Sequence, residues 1–410
     1  MLGSLWLKAC GEISKTGDNA SRGAFSRFRG EIPEKCCDSR LGCRWHTAQG
    51  GRGFRQGYRQ VKSVCEERRA GGGFGADCVV VFFSYLCDDW SVVNAPFPEK
   101  PRIAIIGSGA LGCYYGVRLA KAGNDVHFLV RSGRAAIMAR GIRVKTPTER
   151  IHLKKVQAYA TSNEIGPCDL VIVALKATAN AALAKLLPPL MKANTLVLTL
   201  QNGLGVEEPV AEVVGGEHVL GAICFVGSTR LAPGVIDCSF PGLIMIGEFG
   251  RPAQARTRDV AKIFGQAGVK CEAQDNLEEM RWKKLVWNVP FNGLAIAGGG
   301  ITTDVILADE GLRMLARRLM EEVLEAAAKF GHTIPRPFMD LQFERTFKLG
   351  RYCPSSLTDF REGRSIEVEE IWGEPVRRAR TVGVPVPRLE MLYWLLKRLL
   401  AARKAPGKQR

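Results

Sequence analysis

The stretch Arg102–Val130 constrains this chain more than any other part of it. RIAII, Arg102–Ile106, is apolar and β-branched, as a buried strand is, and glycine ends it abruptly. GSGALG follows at Gly107–Gly112, then the apolar helical pattern CYYGVRLAKAG, then a second strand at Asp125–Val130. Strand, glycine turn, helix and strand in about 30 residues is the context a G-x-G-x-x-G motif needs. Gly107 permits the tight turn, Gly109 lets the backbone approach a pyrophosphate, and Gly112 lets helix and strand pack closely. Ser108, Ala110 and Leu111 complete the turn, and the helix beyond presents unpaired N–H groups to phosphate. The end of the second strand reads cofactor choice. An acidic residue there would hold the ribose hydroxyls of NAD, but the chain has Arg131, followed by Ser132 and Arg134. A guanidinium pairs with a 2′-phosphate through two parallel hydrogen bonds, which favours NADP.

The alternation continues. Gly141–Leu153 reads as a hairpin, and Asp169–Leu175 and Thr195–Leu200 read as buried strands. They end at Lys176 and at Gln201-Asn202-Gly203. Ligands of such sheets gather at the carboxyl ends of the parallel strands, which places Lys176 and Asn202 on the cofactor side. After Phe240 come a further strand, GLIMIGEF, and one more helix–strand unit. From about Leu277 the texture turns helical: Leu277–Ile296, Asp304–Phe330, Pro337–Leu349, Ile366–Val382 and Arg388–Ala402 all carry 3.6-residue periods. The fold class is therefore α/β, an N-terminal Rossmann-type dinucleotide-binding domain (101–275) followed by an all-helical C-terminal domain (276–402).

Composition narrows the partners. The chain has 410 residues, 46% hydrophobic and 24% charged, with no run near the ~20 apolar residues that cross a bilayer. Of the formal charge of +17, residues 1–100 carry +4 and the last fourteen carry +6, leaving +7 for the rest. That suits an enzyme with anionic ligands, and no nucleic-acid-binding signature accompanies it. Residues 1–100 hold seven of the thirteen cysteines and fourteen glycines without helical or strand period. They read as a disordered extension or as upstream sequence translated from a misplaced start. Residues 403–410 form a basic tail. No CxxC pair and no HxxxH exists, so no metal is assigned, and scattered thiols suit a reduced, cytoplasmic enzyme. The expected partner is a small molecule, with no nucleic acid and no membrane; a homodimer is left open.

Two clusters in the helical part carry chemistry. RWKKLVWNVPFNGLA places Lys284, Asn288 and Asn292 at i, i+4 and i+8, on one helix face. Such a stripe amid Trp, Leu, Val and Phe is either a wet face or the lining of a polar cleft, and Pro290 is expected to kink the helix. In CPSSLTDFREGRSIEVEE, Ser355 and Ser356 can cap a helix beginning at Leu357, and Glu367 opens a longer one.

The GSGALG turn, Lys176, Gln201-Asn202-Gly203, the K-L-x-x-N-x-x-x-N run and the S-x-L-x-D-x-x-x-G-R-x-x-E run occur in this order. Together they resemble the ketopantoate reductase (2-dehydropantoate 2-reductase) family from Arg102 to Arg398. The resemblance implies Lys284 as general acid and Glu367 as its carboxylate partner, holding the ammonium in place. It implies Asn288, Asn292 and Ser355 on the substrate, Asn202 and Lys176 near the nicotinamide and ribose, and Arg131 near the 2′-phosphate. The implied reaction is NADPH-dependent reduction of ketopantoate to pantoate. The chain departs from the family pattern at Gly293-Leu294-Ala295 (usually Pro-Leu-Thr), at Ser356 and Thr358 within S-M-L-Q-D, and at Ile371-Trp372-Gly373 (usually Y-x-N-G). Another branched 2-keto acid as substrate, and a non-catalytic NADP-binding regulator, are the alternatives. Association through the basic tail is a further one.

Overall fold

The structure, a computed structural model, describes residues 97–404. The readings of residues 1–96 and 405–410 lie outside the described residues. Ten strands form one mixed sheet: β1 (Arg102–Ile106), β2 (Asp125–Leu129), β3 (Ile142–Lys145), β4 (Arg150–Leu153), β5 (Gln157–Tyr159), β6 (Leu170–Val173), β7 (Leu196–Thr199), β8 (Val219–Ala232), β9 (Val235–Glu248) and β10 (Lys270–Ala273). The order β5-β2-β1-β6-β7-β8 is parallel throughout. Beyond it β9 runs antiparallel to β8, and the predicted hairpin, β3 with β4, pairs on β9. The chain crosses back between β1 and β6. Their carboxyl ends form the switch point where such sheets open a ligand crevice.

Both faces of the parallel part are apolar because helices cover both. Helix α1 (Ala110–Lys121) buries Cys113, Tyr114, Tyr115, Val117 and Leu119 against one face. Gly112 allows that approach: a Cβ there would overlap the Gly107 carbonyl oxygen and come within 3.1 Å of Ala174 and Ile105. Overpacking of this kind typically costs about 1–3 kcal/mol. Gly112→Ala is therefore expected to lower the melting temperature by roughly 5 °C, read by thermal unfolding; an unchanged value would show that the helix lifts away without strain.

Strand structure ends at Ala273, and everything from Leu277 to Lys404 is helix or short connection. The central helix, α2 (Leu277–Ala297), runs through Pro290 and packs on α3 (Glu310–Lys329) and on α4 (Pro387–Lys404). These helices bury a separate apolar core around Trp282, Phe291, Met320 and Trp372. Three expectations need correction. Asp304–Phe330 is two helices, Thr303–Ala308 and α3, because the Asp309 side chain caps the second by accepting from Leu312 N at 2.8 Å. Ile366–Val382 holds one wide π-helical turn, Glu369–Gly373, before a regular helix from Glu374 to Thr381. The terminal helix takes in Arg403 and Lys404, so those two do not belong to the tail.

Candidate active site

The glycine turn leads from β1 into α1 with Gly107 at φ +108°. A Cβ at Gly107 would press on the Ala174 and Leu175 backbone across the switch point. At Gly109 the same construction meets nothing within 4 Å, so the space before the helix is open. The first turn of α1 has no side-chain cap and no acidic residue, which leaves its N–H groups and its positive end for an anion. Gly107 through Leu111 keep partial exposure while Gly112 is buried. Arg131 is exposed at the end of β2, with no hydrogen bond to another side chain among the described residues, whereas Arg134 donates to the Ala158 carbonyl at 3.2 Å. Turn, helix terminus and unengaged guanidinium fit a phosphate-rich dinucleotide.

Lys284 projects from α2 toward the sheet. Its Nζ donates to Asn202 Oδ1 at 2.6 Å and to the Cys224 carbonyl of β8 at 2.9 Å. One ammonium thus joins the helical part to the loop after β7 and to the middle of β8. Burial pulls this ammonium down to about 8, with the Arg281 charge acting the same way and Glu367 acting against it. Asn202 itself is held from behind. Arg281, one turn before Lys284, donates from Nη1 to the Gln201 carbonyl at 2.6 Å and from Nε to Glu207 Oε1 at 3.0 Å. Leu204 N donates to the Glu370 carbonyl at 2.9 Å, and Gly203, at φ +99°, leaves no room for a Cβ beside Glu370.

Glu367 is buried, and its hydrogen-bonded partner is Lys176 at 3.5 Å rather than Lys284. Lys176 also contacts the Asp359 carboxylate and donates to the Ser365 carbonyl at 2.7 Å. Arg364 completes the chain of charges at Asp359, 2.7 Å away. Burial pushes the Glu367 carboxyl up, Lys176 opposes this and Asp359 reinforces it. Glu367 therefore reaches Lys284 through its charge, not through a direct bond.

The stripe on α2 is not a wet face: Asn288 is 6% exposed and Asn292 only 1%. Asn292 Nδ2 donates to Asn288 Oδ1 at 3.4 Å, and its Oδ1 accepts from Ser356 N at 2.9 Å. This corrects the expected serine cap. Helix α5 (Ser355–Arg361) begins at Ser355 with no side-chain cap, and Asn292 from another helix supplies the acceptor. Both ends of the Asn292 amide are thus engaged within the protein, while Asn288 Nδ2 has no partner among the described residues. Ser355 is exposed, and Ser356 is buried.

Two of the departures, at Gly293 and Trp372, pack against each other. A Cβ at Gly293 would meet Leu392 at 2.6 Å and the Trp372 indole nitrogen at 2.9 Å. That nitrogen donates to the Val289 carbonyl at 3.0 Å, and Trp372 is fully buried. The missing side chain at 293 makes room for the indole at 372, so these two changes answer each other away from Lys284.

Known proteins resemble this chain over both the sheet and the helical part. Residues 103–251 match the family model "Ketopantoate reductase PanE/ApbA", and residues 276–400 match its C-terminal counterpart. A 2-dehydropantoate 2-reductase of Nostoc sp. is 40% identical over 304 residues, covering 73% of this chain and 95% of that protein. The crystal structure of 2-dehydropantoate 2-reductase from Geobacter metallireducens superposes with TM-score 0.71 at 41% identity, over 73% of this chain and 99% of that one. The enzyme of that name from Methylococcus capsulatus gives TM-score 0.69 at 32% identity, over 75% and 98%. With the glycine turn, the half-buried lysine and the helical second half in place, the chain belongs to the ketopantoate reductase family and is an oxidoreductase.

Proposed function

We propose that the chain reduces ketopantoate to pantoate with NADPH, Lys284 donating the proton. The observation that carries this reading is the Lys284 ammonium, half-buried and suspended between Asn202 and the Cys224 carbonyl. A cation in that setting stabilises negative charge on a keto oxygen without reorganising, and a pKa near 8 makes it a usable acid at neutral pH. Glu367 keeps the ammonium charged from a distance. Asn288 Nδ2 and the exposed Ser355 hydroxyl supply donors for the hydroxyl and carboxylate of the substrate. Asn292 orients Asn288 and the start of α5, a positioning role rather than the direct substrate contact expected from the sequence.

When bound, NADPH supplies the hydride. The turn Gly107–Gly112 would hold its pyrophosphate and Arg131 its 2′-phosphate. Lys176 lies on the same side, where it ties the ends of the sheet to Asp359 and Glu367. The six described cysteines are all unpaired, which supports a reducing, cytoplasmic setting. The packing origin of the changes at Gly293 and Trp372 favours ketopantoate over a different branched 2-keto acid.

The test is NADPH oxidation with ketopantoate, with NADH in parallel, for the wild type and Arg131→Ala. The wild type is expected to prefer NADPH. Loss of one charge-assisted phosphate contact should raise the NADPH KM by roughly tenfold or more, with NADH little changed. An unchanged preference would remove Arg131 from the 2′-phosphate site. Absence of turnover with ketopantoate, alongside NADPH binding, would leave the family standing and overturn the substrate.

A further inference from the structure

Strands β8 and β9 pair antiparallel, but their register breaks where they pass the site. Phe225 faces Leu243, whereas Gly227 faces Phe240, so β9 carries an extra residue there. Gly242 lies at this bulge with φ +50°, and a Cβ on it would overlap the Phe225 carbonyl oxygen. Bulges bend a strand and re-aim its side chains, and they gather beside active sites.

Opposite the bulge, on the regular partner strand β8, stands Phe225. It is 37% exposed, and its ring centroid lies 5.7 Å from Lys284 Nζ. The residue before it, Cys224, gives the carbonyl that holds the same Nζ. A lone exposed phenylalanine needs no explanation. This one borders the ammonium, whose charge the ring face attracts. A keto oxygen hydrogen-bonded to Nζ from the side that Phe225 borders would bring the carbons flanking the carbonyl within van der Waals reach of that ring. One flank is a carboxylate, which seeks donors; the other suits an apolar wall.

We infer that Phe225 is a specificity-determining residue, the wall against which the branched apolar end of a 2-keto acid packs. This rests on the reading of Lys284 as proton donor to such a substrate. It predicts discrimination by chain shape and not by charge, since every 2-keto acid shares the carboxylate.

Steady-state kinetics with NADPH on the wild type, Phe225→Ala and Phe225→Leu test it, with ketopantoate, 2-oxoisovalerate and pyruvate as substrates. Phe225→Ala is expected to lower kcat/KM for the two branched acids by about tenfold or more, through KM, with pyruvate changing less than about threefold. Phe225→Leu, which restores apolar bulk, should recover most of the loss. Equal losses for all three acids, carried by kcat with a displaced pH profile, would show that the ring acts only through Lys284. No loss for any acid would overturn the proposal as well. A wild type that reduces 2-oxoisovalerate but not ketopantoate removes the ketopantoate reading, and Phe225 is then judged on the acid that turns over. A wild type that reduces none of the three overturns both.

Discussion

Lys284→Ala should lower kcat for ketopantoate reduction by a factor of about 10² or more, the usual cost of losing a positioned general acid. NADPH affinity should change little, because the contacts of Lys284 are the Asn202 side chain and the Cys224 carbonyl, and the dinucleotide turn lies on another element. The wild-type pH profile carries a second signature. The donor must be protonated, and burial has brought Lys284 down to about 8. The kcat/KM for reduction is therefore flat below that pH and falls about tenfold per unit above it. Glu367 raises the Lys284 pKa through its charge, so Glu367→Gln should move the falling limb to lower pH. Arg281 lowers it, so removing that charge should move the limb the other way. A Lys284→Ala enzyme with near wild-type kcat, or a limb indifferent to Glu367, would assign proton donation elsewhere.

The sequence disclosed what is local and little of what is not. The G-x-G-x-x-G turn was legible because strand, turn and helix are consecutive, and each glycine has a steric reason visible in spacing alone. Lys284, Asn288 and Asn292 shared a face because four helical residues nearly complete a turn. The capping of α3 by Asp309 also had a local signal, an Asp followed by Glu at a helix start, which an unbroken helical period obscured. Strand β8 went unrecognised. Its apolar positions are interrupted by Gly221, Gly227 and Ser228, so alternation is weak, and a 14-residue strand is longer than most. With β8 missing, neither the Cys224 carbonyl nor Phe225 could be placed at Lys284. The attachment of Glu367 to Lys176 joins residues 191 positions apart. Helical phase says nothing about which cation a buried carboxylate meets between the sheet and the helical part. Likewise the serines at 355 and 356 have the right chemistry for a cap, yet tertiary packing brings Asn292 to the free N–H first.

Breaking the Glu207–Arg281 pair should destabilise the protein more than any other change considered. Both side chains are almost wholly buried, at 6% and 3% exposure, and two guanidinium nitrogens meet the same carboxylate oxygen. Burial pushes the Glu207 carboxyl up and the guanidinium opposes this, so each charge depends on the other. Glu207→Ala leaves a buried arginine without its counter-ion. The expected cost is about 3–5 kcal/mol, or roughly 10 °C in melting temperature for a folded body of this size. Replacing both by methionine separates stability from function. An apolar pair of similar volume is often as stable as the buried ion pair it replaces, so thermal stability should largely return. Activity should not. Arg281 also holds the Gln201 carbonyl, and the next residue, Asn202, holds the Lys284 ammonium. Without that tether a displacement of even about 1 Å suffices to cost up to 10²-fold in rate. The double variant should therefore melt near the wild type yet turn over at least tenfold more slowly, with its alkaline limb moved upward by the loss of the Arg281 charge. Recovery of both properties would make the pair a packing feature alone. Recovery of stability without rate would make it the rear support of Lys284 and of its proposed role as proton donor, which is what its bond to the Gln201 carbonyl implies.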